Sequence, residues 1–474
     1  MTENTEKMQK RRKKYGWKFW LVFWVLAALA LLGWYVFLQV KNKNIHNLKP
    51  LLKFAPVGGE RRNELQVLAD IYGKMGGFSA SGEKTFLLLL QNDMELRPGG
   101  GFIGSFGIVK TKNGKISDIQ IHDTGVFDGR IPEGVAPPAP IAKTFHINSW
   151  KLRDSNWSPD FPANAEKAEN FYHLGGGSAF AEASADKKNF DGVIAVNTRV
   201  LNSILSVTGP VKINDYPGEY SDETAVLQLE YQVEKGYIDQ GIEKGDRKSI
   251  MKEMAEVLAE KMHNLTFFEQ LELARKIEDH LKQKDIQMFF RDEELQKEID
   301  EIGWSGRVRD FSGDYLMAID ANLNALKSDI CIKRKMEYAV DLSRENPQAE
   351  LKIAYEHTCR AKDWMTADYN DFLRVFAPAG TWFEGSEAQT GEVEISRDLE
   401  KNVFAREVFV PIGETRTYVF RYNFPKGAKK SVYSLLVQKQ SGISELPVKI
   451  TVKKADGTVF ETEEVLREDK VFSF

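Results

Sequence analysis

From Thr85 to Gln91 the chain reads TFLLLLQ, an unbroken apolar run that predicts a strand covered on both faces of an α/β sheet. Phe102–Lys110 and Lys115–Ile121 read as two further strands joined by Asn113-Gly114, a strong hairpin signal. Residues 124–147 carry Pro132, Pro137, Pro138 and Pro140 and predict a loop. Apolar spacing then predicts a helix over Asn164–His173, a strand over Phe190–Val196, a helix over Thr198–Val207 and a strand over Gly209–Ile213. This alternation predicts a mixed sheet covered by helices. Ser221 to about Asp300 is charged, proline-free and helix-periodic, so several amphipathic helices are expected there.

Near residue 314 the period changes. Cys331–Leu342, Glu350–His357, Phe372–Ala377, Val403–Val410, Arg416–Tyr422, Tyr433–Gln438 and Pro447–Lys453 are short apolar or alternating runs separated by Asn, Gly and Pro. They predict an all-β, sandwich-like domain. Upstream, Glu64–Lys74 has helical spacing and is closed by Gly76-Gly77 and Ser79–Gly82. Ser178–Lys188 is small, polar and biased, and reads as a surface insertion.

The N-terminus carries a different pattern. Phe19–Leu38 is free of charge and is followed closely by Lys41, Lys43 and Lys49. At 1.5 Å per residue it would span roughly 30 Å, one hydrocarbon core. Trp17, Trp20, Trp34 and Tyr35 lie toward its ends, where interfacial aromatics belong, and the basic cluster Lys10–Lys14 precedes it. An uncleaved signal anchor with a cytoplasmic N-terminus is the reading that fits. A cleaved signal peptide would have a shorter apolar region and small residues at its end, and a buried helix is the third alternative. The expected organisation is a basic cytoplasmic tail over 1–18, a transmembrane anchor over 19–40, a juxtamembrane helical stalk over 41–82, an extracytoplasmic α/β domain over 83–313 and the β-sandwich-like domain over 314–474.

Charge sharpens this picture. Residues 1–18 hold seven basic and two acidic residues, which leaves 58 basic against 67 acidic in the remainder. An acidic body lacks the broad positive field of nucleic-acid binding, so no nucleic-acid partner is expected. Mean hydropathy is negative, which argues against a polytopic transporter. Cys331 and Cys359 are the only cysteines; they cannot build a multi-cysteine zinc site, but outside the cytoplasm they can pair as a disulfide.

The candidate chemistry is local. Gly99, Gly100, Gly101 and Gly104 match G-x-G-x-x-G in form, but a strand-like segment follows where a dinucleotide site needs a helix. The glycines beside Arg97 suit either an anion nest or a tight turn. Asp93 and Arg97 end the first strand, where α/β sheets bind ligands, and would suit a metal–phosphate site or a solvated turn. Trp150–Pro162 gathers Arg153, Asp154, Trp157 and Asp160 in one loop, either a phosphate and sugar site or an ordered loop in which Arg153 pairs with an acid. Gly245-Asp246-Arg247 opens a predicted helix, with Asp246 as a natural N-cap.

The segments LLLLQNDMELRPGGGFIGSFG, WKLRDSNWSPDFPANAEKA, FDGVIAVNTRVLNSILSVTGPV and DYLMAIDANLNALKSD resemble a bacterial membrane-anchored family known only as domain-of-unknown-function family 4012. The order of segments more distantly resembles the LytR-CpsA-Psr family. That family joins one transmembrane helix to an extracytoplasmic α/β domain and transfers glycopolymers from a polyprenyl-pyrophosphate carrier to the cell wall with a divalent metal. Its strand ending in Gly-x-Asp, with a following arginine, resembles the segment with Asp93 and Arg97. Its strand ending in Arg-Asp resembles Asp118–Asp123, with His122 in the arginine's place. Its Asp-x-x-Arg segment resembles Gly245-Asp246-Arg247, although Lys248-Ser249-Ile250 replaces the expected Arg-Gln-Gln.

Two functions follow from these readings. In the first, the protein is a phosphotransferase acting on polyprenyl-pyrophosphate-linked glycopolymers and a cell-wall acceptor. In that reading Asp93 and Asp154 would hold Mg²⁺, His122 or Asp123 would be the base, and Arg97, Arg153 and Arg247 would clamp the pyrophosphate. Gly99, Gly100, Gly101, Trp157 and Asp246 would complete the substrate contacts. In the second, the protein is a non-catalytic envelope module that binds glycan or protein. Convergence of the arginines and acids in one cleft favours the first, and their separation the second.

Overall fold

Strand β1 (Lys84–Asn92) buries Phe86, Leu87 and Leu89 at the centre of a five-stranded sheet. This computed structural model describes residues 58–72, 83–112, 115–176, 189–387, 392–425 and 433–474. The tail and anchor over 1–40, much of the stalk, the turn Asn113-Gly114 and the insertion Ser178–Lys188 lie outside the described residues. Among the described residues no helix is long and apolar enough to cross a membrane. They fall in two units. The first contains helix α1 (Gly59–Tyr72), which buries Val67, Ala69 and Ile71. The second runs from Lys84 to Phe474 apart from residues 111–115.

In the second unit, β2 (Phe102–Lys112) and β3 (Lys115–Asp123) extend the sheet on one side of β1. Residues 124–147, expected as a loop, instead contain two short helices, α2 (Thr124–Asp128) and α3 (Ala139–Phe145). Asp123 caps the first by accepting the Val126 N–H, and prolines before and within α3 supply pre-set helical φ. Helix α4 (Phe161–Leu174) is capped by Asp160 and buries Phe161, Ala165, Ala168, Phe171 and Tyr172. That face packs with Leu87, Leu89 and Val193 in one core. Burying a side chain such as Phe171 contributes about 2–3 kcal/mol.

Strand β4 (Gly192–Asn197) pairs parallel to β1, from Phe86↔Gly192 to Gln91↔Asn197. Helix α5 (Thr198–Thr208) follows at once. The expected strand at Gly209–Ile213 reduces to one bridge, Val211↔Tyr220, because Val211 and Ile213 enter a helical core with Ile250, Met254 and Leu258. Helix α6 (Ala225–Tyr231), a π-helical turn (Gln232–Gly236) and a short turn (Tyr237–Asp239) lead to α7 (Ser249–His263). Helix α8 (Phe267–Gln283) begins with a Thr266–Glu269 capping box. The helical expectation for this stretch missed β5 (Ile286–Phe290), which pairs antiparallel to β4; α9 (Glu293–Glu301) follows it.

The β-rich part holds two six-stranded sheets. One has β10 (Trp382–Glu387), β13 (Thr415–Asn423), β8 (Gln348–His357), β7 (Ile332–Asp341), β15 (Leu446–Lys453) and β16 (Val459–Leu466). The other has β11 (Glu394–Asp398), β12 (Lys401–Val410), β9 (Tyr369–Ala377), β6 (Asp314–Ile319), β14 (Ser434–Val437) and β17 (Lys470–Ser473). Met336, Tyr338, Leu351 and Val448 from the first share a core with Leu373, Val375, Phe404 and Leu435 from the second. The two sheets therefore close on one another as a sandwich. Within this core Asp314 accepts hydrogen bonds from Tyr338, Tyr433 and the Tyr315 N–H; burial nevertheless pushes its carboxyl up to about 6. Cys331 and Cys359 flank the paired strands β7 and β8 and form a disulfide, with Cα atoms 5.4 Å apart.

Candidate ligand-binding cleft

The turn after β1 is a structural joint. Arg97 is only 2% exposed. Its Nε donates to Asp154 Oδ1 at 3.2 Å, its Nη2 to Glu95 Oε1 at 3.1 Å and its Nη1 to the Asn322 carbonyl at 2.7 Å. Burial alone would lower its pKa, but Glu95 and Asp154 more than offset that, and the guanidinium stays charged. The Gly99 N–H donates to Asn156 O and the Gly100 N–H to Arg97 O, so these two groups do not form the anion nest. The glycines serve close packing instead. A Cβ on Gly100, whose φ is +127°, would meet Gln91 Oε1 and Ser441 Oγ within 2.6 Å. Leu96 pairs with Asn322 and Asp329, and Gln440 donates to Arg97 O, so the turn ties the α/β part to the sandwich.

The proposed Mg²⁺ ligands do not fit an ion. The Asp93 carboxylate is taken by Thr198 and Arg199, and that of Asp154 by Arg97. Among the described residues no group of three His, Cys, Asp or Glu side chains could hold a metal. Trp157 is also occupied: its ring stacks on Phe372, and the Arg374 guanidinium lies 4.8 Å above it. Asp246 is exposed, and it does not cap α7; Lys248 holds the N-cap position, with a short 3-10 turn (Lys244–Asp246) intervening.

One further arrangement has the order of a nucleophile, base and acid. Ser203 Oγ lies 2.8 Å from His280 Nε2, and His280 Nδ1 lies 2.8 Å from Asp285 Oδ2. Burial would raise the Asp285 carboxyl, but His280 and Arg199 bring it down to about 2. Ser203 sits inside α5, where backbone N–H groups are spent on helix bonds and cannot serve as oxyanion donors. We read this chain as a clamp between α5 and α8.

The remaining predicted residues do converge. A cavity of about 210 Å³ is lined by Phe106, His122, Asp123, Phe127, Arg130 and Tyr172, among others. Its wall is aromatic: Phe127 stacks on Tyr172 at 5.8 Å and stands edge-on to Phe106 at 4.9 Å. At the polar end Lys248 Nζ lies 3.0 Å from Asp123 Oδ2, with Arg247 Nε 3.9 Å from the same atom. Arg247 also pairs with Glu234 at 3.0 Å and donates to the Val233 carbonyl in the π-helical turn, a rare element frequent at functional sites. Arg153 lies beside Gly125 and is bonded to Asp128 at 2.5 Å, the acid partnership that the sequence left open.

Electrostatics at this end favour an anion. Burial would raise the Asp123 carboxyl, but Lys248 and the Val126 N–H hold it below its ordinary range. Burial is the larger influence on Lys248 and lowers its ammonium. His122 is lowered by burial and by Arg130, so its imidazole is neutral at pH 7. Lys248 and Arg247 pair with Asp123, Arg247 also with Glu234 and Arg153 with Asp128, while Arg130 lines the cavity near His122. The sequence reading missed Arg130, Lys248 and the aromatic wall. Lys248 was legible as a second cation after Arg247, whereas Arg130 sits among prolines with no periodic signal.

Residues 81–233 match the model of a family described as "Protein of unknown function (DUF4012)". This segment is similar to that family over about a third of the chain. It supplies His122, Asp123, Arg130, Arg153 and Tyr172 to the cleft, while Arg247 and Lys248 lie beyond it. No curated protein sequence matches the chain. Among solved structures, a candidate nutrient binding protein of Legionella pneumophila aligns at 7% identity and TM-score 0.22, covering 30% of this chain and 54% of that one. This chain thus spans about half the length of that relative. The Lin1025 protein of Listeria innocua aligns at 10% identity and TM-score 0.25, covering 50% and 86%. The LytR-CpsA-Psr likeness rests on the order of motifs alone.

Proposed function

We propose that the protein is a membrane-anchored, extracytoplasmic envelope protein whose cleft binds the anionic head of a polyprenyl-phosphate glycolipid. The observation that carries this reading is the meeting of an aromatic-walled cavity with a cationic end formed by Arg130, Arg247 and Lys248. The apolar wall suits the first isoprenoid units, and the cations suit phosphate oxygens. The disulfide suits an oxidising compartment, and the charge-free run Phe19–Leu38 suits a signal anchor.

Binding is favoured over metal-assisted transfer because Arg97, Asp93 and Asp154 are spent on internal ion pairs away from this cavity. A transfer step would have to use the groups that line it or pair with its Asp123. His122, held neutral, is the candidate base, and Arg247 with Lys248 would neutralise developing phosphate charge.

The test is calorimetric titration of the full chain in detergent with a short-chain polyprenyl monophosphate, beside an Arg130→Ala, Arg247→Ala double variant. Saturable binding that weakens at least tenfold in a folded variant is the expected result. Equal affinity in the two proteins would rule out this cleft.

A further inference from the structure

Five large apolar side chains stand in water beside the segment that holds Arg247. Leu227 and Tyr231 lie one turn apart on α6; Leu326 precedes the 3-10 turn Ser328–Cys331 and Ile330 lies in it; Trp364 follows β8. All are between 37% and 51% exposed. They are one surface. The Tyr231 ring stands edge-on to Trp364 at 6.1 Å. Leu326 bridges to Thr366, and the Lys327 N–H donates to Met365 O at 2.7 Å. Lys327 Nζ lies 3.4 Å from Glu230, the residue before Tyr231. The Cys331–Cys359 disulfide ties together the two sandwich loops that contribute.

A single exposed leucine needs no explanation, but a contiguous group drawn from three chain segments and held rigid does. We propose that this surface rests on the outer leaflet of the membrane that carries the anchor. The inference depends on the anchored reading given above. Three observations choose a lipid surface. Leu38, the end of the charge-free run, is only 46 positions before Lys84, so the bilayer is the large apolar surface always within reach. The patch is led by a tryptophan and a tyrosine, whose rings combine an apolar body with a polar edge and prefer the headgroup level. Arg360 and Lys362 are exposed just before Trp364 along the chain, Lys362 beside Asp368 at 2.6 Å, and Arg360 is placed for lipid phosphates.

The placement also bears on the cleft. Helix α6 runs directly into the π-helical turn whose Val233 carbonyl and Glu234 carboxylate position Arg247. A leaflet seated on α6 would present lipid phosphates near the cationic end, with no need to extract the whole lipid into water.

The experiment uses the full chain in liposomes. Its two native cysteines are joined, so a bimane label can be placed at Leu227→Cys or, as a control on edge strand β16, at Val465→Cys. Quenching is read with lipids that carry a doxyl group near the headgroup. The expected result is at least twofold stronger quenching at 227 than at 465, reduced by adding Tyr231→Ser and Trp364→Ser. Equal quenching at the two sites would overturn the inference while leaving the anchor intact. A label at 227 shielded from water yet unquenched by lipid would overturn it in favour of a protein covering. Extraction of the chain from the liposomes by alkaline carbonate would overturn the anchored reading itself, and this surface with it.

Discussion

Arg97 and Arg247 are both arginines set against carboxylates from distant parts of the chain, yet the protein uses them in opposite ways. Arg97 lies in the joint between sheet and sandwich, with Asp154, Glu95 and the Asn322 carbonyl on its three nitrogens and Phe102 beneath it. Nothing on it remains for a ligand. Arg247 keeps 22% of its side chain in contact with water, shares Asp123 with Lys248, and stands beside a cavity that Asp123 lines. The lesson concerns cost. A guanidinium withdrawn from water must have its charge matched where it sits, so a buried arginine is committed to the fold. An arginine at a half-open rim can exchange water for phosphate.

That contrast can be attacked at several points, the strongest first. Arg97→Met leaves Asp154 buried without its cation and is expected to cost about 3–5 kcal/mol of stability. Urea unfolding checks this; a cost below about 1 kcal/mol would remove the joint from the account. Gly442→Ala strikes the same joint from the sandwich side. Its φ is +87°, and a Cβ there would lie 2.0 Å from Gly100 O. A loss of about 1–3 kcal/mol is expected by the same measurement.

The third test is a pH profile. Lys439 is fully buried, and burial with the neighbouring Lys284 pushes its ammonium down to about 7. Its Nζ donates to three carbonyls, those of Gln283, Gln440 and Ile443. A cation whose folded pKa is lowered carries a penalty while protonated. The unfolded chain holds that proton up to the ordinary lysine value, so stability should rise as pH climbs from about 7 toward 10. The slope is at most about 1.4 kcal/mol per pH unit for one proton. Lys439→Met should flatten this rise; an unchanged slope would assign it to other groups. The smallest effect belongs to the cleft. Protonating His122 adds a cation beside Arg130, so anion affinity should increase a few-fold as pH falls below the ordinary histidine range. His122→Gln should abolish the increase.

Much of the fold was legible because its periods are clean. The apolar run at β1, the two runs on either side of Asn113-Gly114 and all seven runs named after residue 330 became strands. The failures have physical reasons. Strand β11 is exposed along its whole length and β16 along most of it, and both lie at sheet edges, so neither shows alternation. Strand β5 is five residues between charged helices and reads as part of a helical stripe. Val211 and Ile213 look like a strand but pack among helices.

The site was legible in part. Arg153, Asp123 and Arg247 carry local cues, and they do approach one another. The fate of Arg97 was not legible, because its partners come from residues 95, 154 and 322, which only the closed sheet and sandwich bring together. The glycines misled for the same reason. A turn that admits a phosphate and a turn that admits Ser441 and Gly442 need the same small residues.

The most direct measurement sets Arg247→Met beside the wild-type chain and reads stability and polyprenyl monophosphate affinity on the same samples. Arg247 is expected to lose about tenfold in affinity while its unfolding free energy moves by less than about 1 kcal/mol. A variant that binds as tightly as wild type, or one that loses affinity only because it unfolds, would contradict the division between joint and cleft.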